Sequence, residues 1–406
     1  MDSETADMPP EPPSTALILG GGGARAAYQV GVLDAIRQVI CQTRGSSCPL
    51  PFKVLCGTSA GAITATSLAS HAASFDTAMT RLLQVWSDFQ PNQVYRTDVG
   101  GALANASRWL SALSMGWLIK EPPRSLFDNR PLRQLLEQNI DFNSIDHAIA
   151  RGHLEALAIS TSSYSSGRHI VFYQSHHPIT PWTRSRRLAS RTTIGVDHLM
   201  ASSAIPFVFP AARLQIDGKS GFFGDGAMRQ NAPISPAIHL GATRIVVIGA
   251  GQIEENSGED ADTPPSPDAD DQTDYPALGQ IGGHVMASIF LDGMAADVER
   301  LERINRTLDI MTPEQQQQSG LKPLDLLTIT PSKRLDSLAE PFVRNLPRTT
   351  RSALRVLGAT GPRGVGLSSY LLFDKQYTQT LIALGRRDGL ARSDEIAAFF
   401  EDRNPE

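Results

Sequence analysis

Three clusters of residues in this chain have types and spacing that could do chemistry. Gly57-Thr-Ser59-Ala-Gly61 sets a serine between two glycines. Such a motif arises by chance in roughly one chain of this length in five, so its surroundings carry the weight. An apolar strand-like run precedes it and a helix of small residues follows, which puts Ser59 on a sharp strand-to-helix turn. Gly57 and Gly61 relieve crowding there, and the helix N-terminus favours alkoxide character on the serine. Leu19-Gly-Gly21-Gly22-Gly23-Ala-Arg25 also lies between a strand-like run and a helical pattern. Backbone N–H groups of Gly21, Gly22 and Gly23 could hold an anion there, either a pyrophosphate or a tetrahedral oxyanion. A nucleophilic serine needs a base. None of the nine histidines sits in an obvious motif, whereas Asp225-Gly226-Ala227 follows Phe222-Phe223-Gly and precedes Asn231-Ala-Pro233. A carboxylate in a close-packed loop is rarely left unpaired.

The elements that must position these residues follow from periodicity. Residues 16–19 read as a short buried strand and 26–41 as a helix, with Val30, Leu33, Ile36, Val39 and Ile40 at helical spacing. Residues 52–56 form a second strand, 154–159 and 170–173 further strands, and 243–248 a β-branched central one. Residues 234–240 and 281–308 read as helical, 324–329 as a late strand, and 370–384 as a C-terminal helix. Strand and helix alternate, which predicts an α/β fold with a largely parallel sheet.

Composition sets the outer limits. The chain has 406 residues, 41% hydrophobic and 19% charged, with a net charge of −5. That excludes wholesale disorder and gives no case for nucleic-acid binding. Residues 252–276 hold nine carboxylates and no Lys or Arg, so the remainder is net +4. This segment is expected to be an acidic disordered loop, and residues 1–14 a flexible tail. No apolar run reaches the roughly 18 residues needed to cross a bilayer. The acidic, Pro-rich N-terminus does not resemble a secretory signal, and Cys41, Cys48 and Cys56 have no metal-like spacing. A reducing, cytoplasmic compartment is the simplest reading. No metal or cofactor is called for. Residues 103–119 carry Trp109, Leu110, Leu113 and Trp117. Core packing is the favoured reading, with a cap at the inner face of a membrane as the alternative.

Taken together, Gly21-Gly-Gly-Ala-Arg25, the elbow at 57–61 and Asp225-Gly226-Ala227 resemble the patatin-like phospholipase family. Residues 125–132, 201–206 and 231–233 resemble its bacterial members as well. The resemblance covers about residues 16–250, and the region 280–390 is similar, with less specificity, to an extension of some bacterial relatives. It implies a three-layer patatin-like domain over 15–250 and a mainly helical region over 280–400 packed on it. It also implies a lipid acyl hydrolase, a phospholipase A or lysophospholipase-like esterase acting on phospholipid or another acyl ester. Ser59 would then be the nucleophile, Asp225 the proton acceptor, and Gly21–Gly23 the oxyanion hole. Ala26 departs from the family's usual glycine but spares the preceding donors. Arg25 has two readings, contact with a phosphate headgroup or anchorage of its loop.

Other readings stay open at this stage. Ser59, Asp225 and His239 occur in the chain order of an α/β-hydrolase triad, although His239 reads better as a structural residue of a packed helix. A dinucleotide site would want an acid about 20 residues after the glycines, and residues 40–47 have none. A catalytically idle lipid-binding or scaffold protein is the third alternative.

Overall fold

The computed structural model describes residues 14–44, 48–97, 125–177, 179, 182–184, 186–251 and 275–401. Of the expectations for 1–14, 103–119 and 252–276, all but residues 14, 275 and 276 fall outside these described residues. Ser14 is not part of a flexible tail but is buried, its carbonyl accepting from Thr243 N–H at 3.0 Å, which continues β1 toward β9.

Among the described residues ten strands form one mixed sheet: β1 Thr15–Leu19, β2 Val54–Thr58, β3 Ala156–Ser163, β4 His169–Ser175, β5 Thr183–Arg184, β6 Arg187–Arg191, β7 Ala212–Ile216, β8 Lys219–Asp225, β9 Arg244–Ile248 and β10 Asp325–Ile329. The order is β10-β9-β1-β2-β3-β4-β6-β5, and β8 pairs with β3 and β7 away from that path. The run from β10 to β3 is parallel, while β4 turns back antiparallel on β3. All five residues of β1 and of β2 are buried, as a parallel sheet covered on both faces requires.

Alternation along these strands divides the interior. Leu17, Leu19, Leu55, Val246 and Ile248 face one core. It is shared with α1 (Ala27–Arg44), α2 (Ala60–Ala69) and the C-terminal helix Lys375–Leu390. Ala16, Ile18, Val54, Cys56, Ile245 and Val247 face the other, against the helices Ser235–His239 and Gly293–Ile310.

The C-terminal region is mainly helical but also lends β10 to the sheet edge. Its helix Lys375–Leu390 lies so close to α1 that a Cβ on Gly31 would meet the Ile382 carbonyl at 2.1 Å, and one on Gly385 the Tyr28 carbonyl at 2.1 Å. The C-terminal helix expected over 370–384 is two helices, Val365–Leu371 and Lys375–Leu390. Asp374 makes the break: its side chain caps the second helix, accepting from Gln376 and Tyr377 N–H at 3.1 and 3.2 Å. The helical stretch expected over 281–308 runs from Leu278 to Ile310 and contains a wider π-helical turn at Ser288–Asp292. No helix among the described residues is long and apolar enough to cross a membrane.

Candidate active site

Ser59 sits at the C-terminal end of β2, on the turn that opens α2. Its backbone lies at φ 56° and ψ −127°, a conformation an L-residue adopts only under strain. The neighbouring backbone is crowded enough to explain both glycines. A Cβ on Gly57 would meet Ala62 Cα at 2.5 Å, and one on Gly61 the Leu19 carbonyl at 2.3 Å. The strain is held by hydrogen bonds. Ser59 N–H donates to Ser202 Oγ at 2.9 Å, and that hydroxyl donates to the Ser160 carbonyl at 2.7 Å. Thr58 Oγ1 donates to Gln230 Oε1 at 2.9 Å, and Gln230 Nε2 donates to Ser160 Oγ at 3.1 Å.

Asp225 ends β8, where it pairs with Thr161 of β3, and is completely buried. Its N–H donates to the Ala204 carbonyl at 3.0 Å. The segment 202–204 therefore holds Ser59 through one residue and Asp225 through another. Asp225 Oδ1 accepts from Ala227 N–H at 3.0 Å, while Oδ2 is buried without a hydrogen-bond partner. The Ser59 hydroxyl lies near enough to favour the charged carboxylate. Burial outweighs this help and that of the Ala227 amide, and pushes the carboxyl up to about 7. Gly226 is packed so tightly that a Cβ would meet the Ser160 carbonyl at 2.3 Å.

The glycine loop adjoins the serine. A Cβ on Gly21 would lie 3.1 Å from Ser59 Cβ and 2.5 Å from the Phe290 ring. Gly23 has φ +54° and opens a short 3-10 turn, Gly23–Ala26, whose first N–H groups have no partner within the turn. A Cβ there would meet the Tyr370 carbonyl at 2.2 Å. Phe290 stacks on Tyr370 with ring centroids 5.2 Å apart. The C-terminal region thus forms one wall of the loop, and the π-helical turn aims Phe290 at it. Sequence reading missed Phe290, Tyr370, Ser202 and Gln230. Ser202 lies in the stretch 201–206 already noted, though no role was read for it; the other three carry no motif, and each of the four acts by packing or bonding across more than a hundred residues.

Arg25 is an anchor. It is buried, and its guanidinium donates to Ser369 Oγ at 2.7 Å, Tyr370 Oη at 3.1 Å and the Gly366 carbonyl at 3.2 Å. It also lies 4.0 Å from the centre of the Tyr370 ring. Arg25→Ala should lower the melting temperature, by an amount reflecting about 2–4 kcal/mol of lost charge-assisted bonds and packing. It should also slow hydrolysis of a soluble ester that has no headgroup, because the loop shifts. Unchanged hydrolysis of that ester, with phospholipid turnover alone impaired, would return Arg25 to a headgroup role.

His239 is placed elsewhere. It ends the helix Ser235–His239 and stacks on Trp182 at 4.6 Å, on the sheet face away from α2. Burial, then Arg184 and Arg187, hold its pKa below the usual histidine range. His239→Ala should keep the specific activity of folded protein within about threefold. A variant as dead as one lacking Ser59, yet well folded, would instead make this a triad.

A cleft opens at Ser59, with about 700 Å³ of empty space, part of it open to solvent. Its walls are almost entirely apolar and include Ile63, Leu82, Trp86, Leu136, Ile205 and Phe209. Among the described residues no three His, Cys, Asp or Glu side chains converge as metal ligands.

The family model for patatin-like phospholipases matches residues 17–238, more than half of the chain. A cGAMP-activated phospholipase of Pseudomonas aeruginosa (strain BWHPSA011 / Pa011) is 28% identical over 217 residues, covering 53% of each protein. The chain therefore aligns with about half the length of that curated relative. Among solved structures, VipD from Legionella pneumophila is 12% identical, covering 91% of this chain and 67% of VipD, with a TM-score of 0.31. The SpcU–ExoU complex from the type III secretion system of Pseudomonas aeruginosa gives 15% identity, 94% and 77% coverage, and a TM-score of 0.25. On the extent of the family match, the chain belongs to the patatin-like phospholipase family.

Proposed function

We propose that this protein is a lipid acyl hydrolase, of phospholipase A or lysophospholipase type, working through Ser59 and Asp225. The observation that carries the reading is the pairing of a strained, buried serine with a fully buried carboxyl near neutrality, at an apolar cleft. Asp225, deprotonated, takes the proton of the Ser59 hydroxyl as the serine oxygen attacks the ester carbonyl. The carbonyl oxygen becomes an oxyanion, and the N–H groups of the Gly21–Gly23 loop hold it, each worth roughly 3–4 kcal/mol in the transition state. Collapse of this intermediate breaks the ester bond, and Asp225 returns the proton to the leaving alcohol. Water then attacks the acyl-enzyme with Asp225 again as base, which releases the fatty acid and restores Ser59. An acyl chain lies in the cleft, where burial of its methylenes supplies binding at about 0.8 kcal/mol each.

Ile63, one turn along α2 from the serine, tests this directly. Ile63→Trp should fill the cleft and lower kcat/KM for a decanoyl p-nitrophenyl ester about 100-fold, while the acetyl ester changes less than about threefold. Equal loss on both esters would mean that the acyl chain lies elsewhere.

A further inference from the structure

Three segments meet around a second depression, one of them directly after Asp225 in the chain. They are the turn 164–168 between β3 and β4, the β5–β6 hairpin, and the turn Gly226–Arg229. The depression has about 760 Å³ of empty space and is open to solvent. Arg168, Arg184, Arg186 and Arg229 line it, and all four are exposed. Among the described residues none of them pairs with a carboxylate. Arg186 is held at φ 57° on the hairpin, and its carbonyl accepts from His169 N–H at 2.9 Å, which ties the hairpin to β4.

Two exposed aromatic residues flank the turn that supplies Ser166, Gly167 and Arg168 to this depression. Tyr164 is 48% exposed and Phe222 is 55% exposed. They are adjacent: Tyr164 N–H donates to the Phe222 carbonyl at 2.9 Å, and Phe222 N–H donates to Ser165 Oγ at 3.2 Å. The Tyr164 hydroxyl reaches Met228 Sδ at 3.6 Å, on the turn that carries Arg229. The patch also borders the dyad, since a Cβ on Gly224 would meet the Tyr164 hydroxyl at 2.4 Å and Asp225 follows directly.

Four arginines lining one depression, none paired with a carboxylate among the described residues, suit phosphate, which guanidinium groups can grip through paired N–H donors. A free phosphate ligand would explain the arginines but not the aromatic rim. Aromatic side chains beside cations suit the boundary between headgroups and acyl chains. We propose that this face docks the protein on a bilayer, with the four arginines on the phosphates of anionic phospholipids and Tyr164 and Phe222 in the headgroup layer. Docking there brings the edge of the Ser59–Asp225 site against the layer that holds its substrate. The purpose of the contact rests on the hydrolase reading, but the contact itself does not.

The test is vesicle co-sedimentation of the full chain in a Ser59→Ala background, so that lipid is not consumed. Vesicles of phosphatidylcholine alone are compared with vesicles containing equal parts of phosphatidylglycerol. Binding should require phosphatidylglycerol and weaken as salt rises. Arg184→Glu with Arg186→Glu should weaken it about tenfold or more. The same pair, placed in protein that retains Ser59, should leave the melting temperature and acetyl-ester hydrolysis unchanged. Arg184→Gln with Arg186→Gln gives the same direction if charge reversal disturbs folding, and Phe222→Ser should weaken the binding that survives high salt. Vesicle binding unchanged by both arginine pairs would overturn the proposal. So would pyrophosphate binding that both pairs abolish while vesicle binding persists, for the arginines would then serve a free phosphate. Failure of the hydrolase reading would show in ester turnover and leave sedimentation untouched, so the two failures are distinguishable.

Discussion

Ser59→Ala should reduce hydrolysis of both phospholipid and short p-nitrophenyl esters by about 10,000-fold or more, leaving only background. The size follows from the role: without the Ser59 oxygen no acyl-enzyme forms. The fold should survive. Alanine inherits the same positive φ, and the hydrogen bonds around the elbow run through backbone N–H and through Ser202, Ser160 and Gln230, not through the Ser59 hydroxyl. Ser59→Gly should be as inactive but melt higher than Ser59→Ala, because glycine accepts this backbone conformation without strain. Circular dichroism and thermal melts alongside the assay separate lost chemistry from lost structure. Substantial turnover by well-folded Ser59→Ala would remove the serine from the mechanism.

Asp225→Asn should cost about 1,000-fold or more, since an amide cannot accept the serine proton. The wild-type profile carries the same information. With the carboxyl raised to about 7, the base is mostly protonated at pH 6 and mostly ionised at pH 8. The kcat/KM should therefore rise about tenfold between those values and level off above. Stability should run the other way. The folded carboxyl holds its proton more tightly than the unfolded one, so burying the charge opposes folding increasingly as pH climbs from about 4 through 7. Asp225→Asn should thus melt higher than wild type at pH 8 and lose that advantage near pH 4. A flat activity profile between pH 6 and 8, with wild-type turnover in Asp225→Asn, would place the base elsewhere.

Much of this arrangement was legible in the sequence because its causes are local. A Cβ on Gly57 would meet Ala62 Cα of the elbow at 2.5 Å, so that glycine announces the turn locally, while Gly61 is also required by the approach of the Leu19 carbonyl of β1, 2.3 Å from where its Cβ would lie. β1, β2 and β9 are continuous apolar runs because both faces of the sheet are covered. Asp225 stood out as an acid within an apolar, glycine-bounded stretch, and it is completely buried. What the sequence hid is long-range. Arg25 left two readings open until its guanidinium met Ser369, Tyr370 and the Gly366 carbonyl, more than 300 residues away. Phe290 has no motif, and only the π-helical turn that carries it explains its place over Gly21. His239 fits a triad by chain order alone. The alternation of β1 and β2 puts its helix on the other face of the sheet, which chain order does not encode.

The central claim, a serine activated by a buried aspartate, is tested most directly by reaction with a fluorophosphonate followed by intact mass and peptide mapping. A single adduct on Ser59 is expected in wild type. It should form about tenfold faster at pH 8 than at pH 6, slow sharply in Asp225→Asn, and be absent from Ser59→Ala. An adduct on any other residue, or equal labelling of Ser59→Ala, would contradict the account.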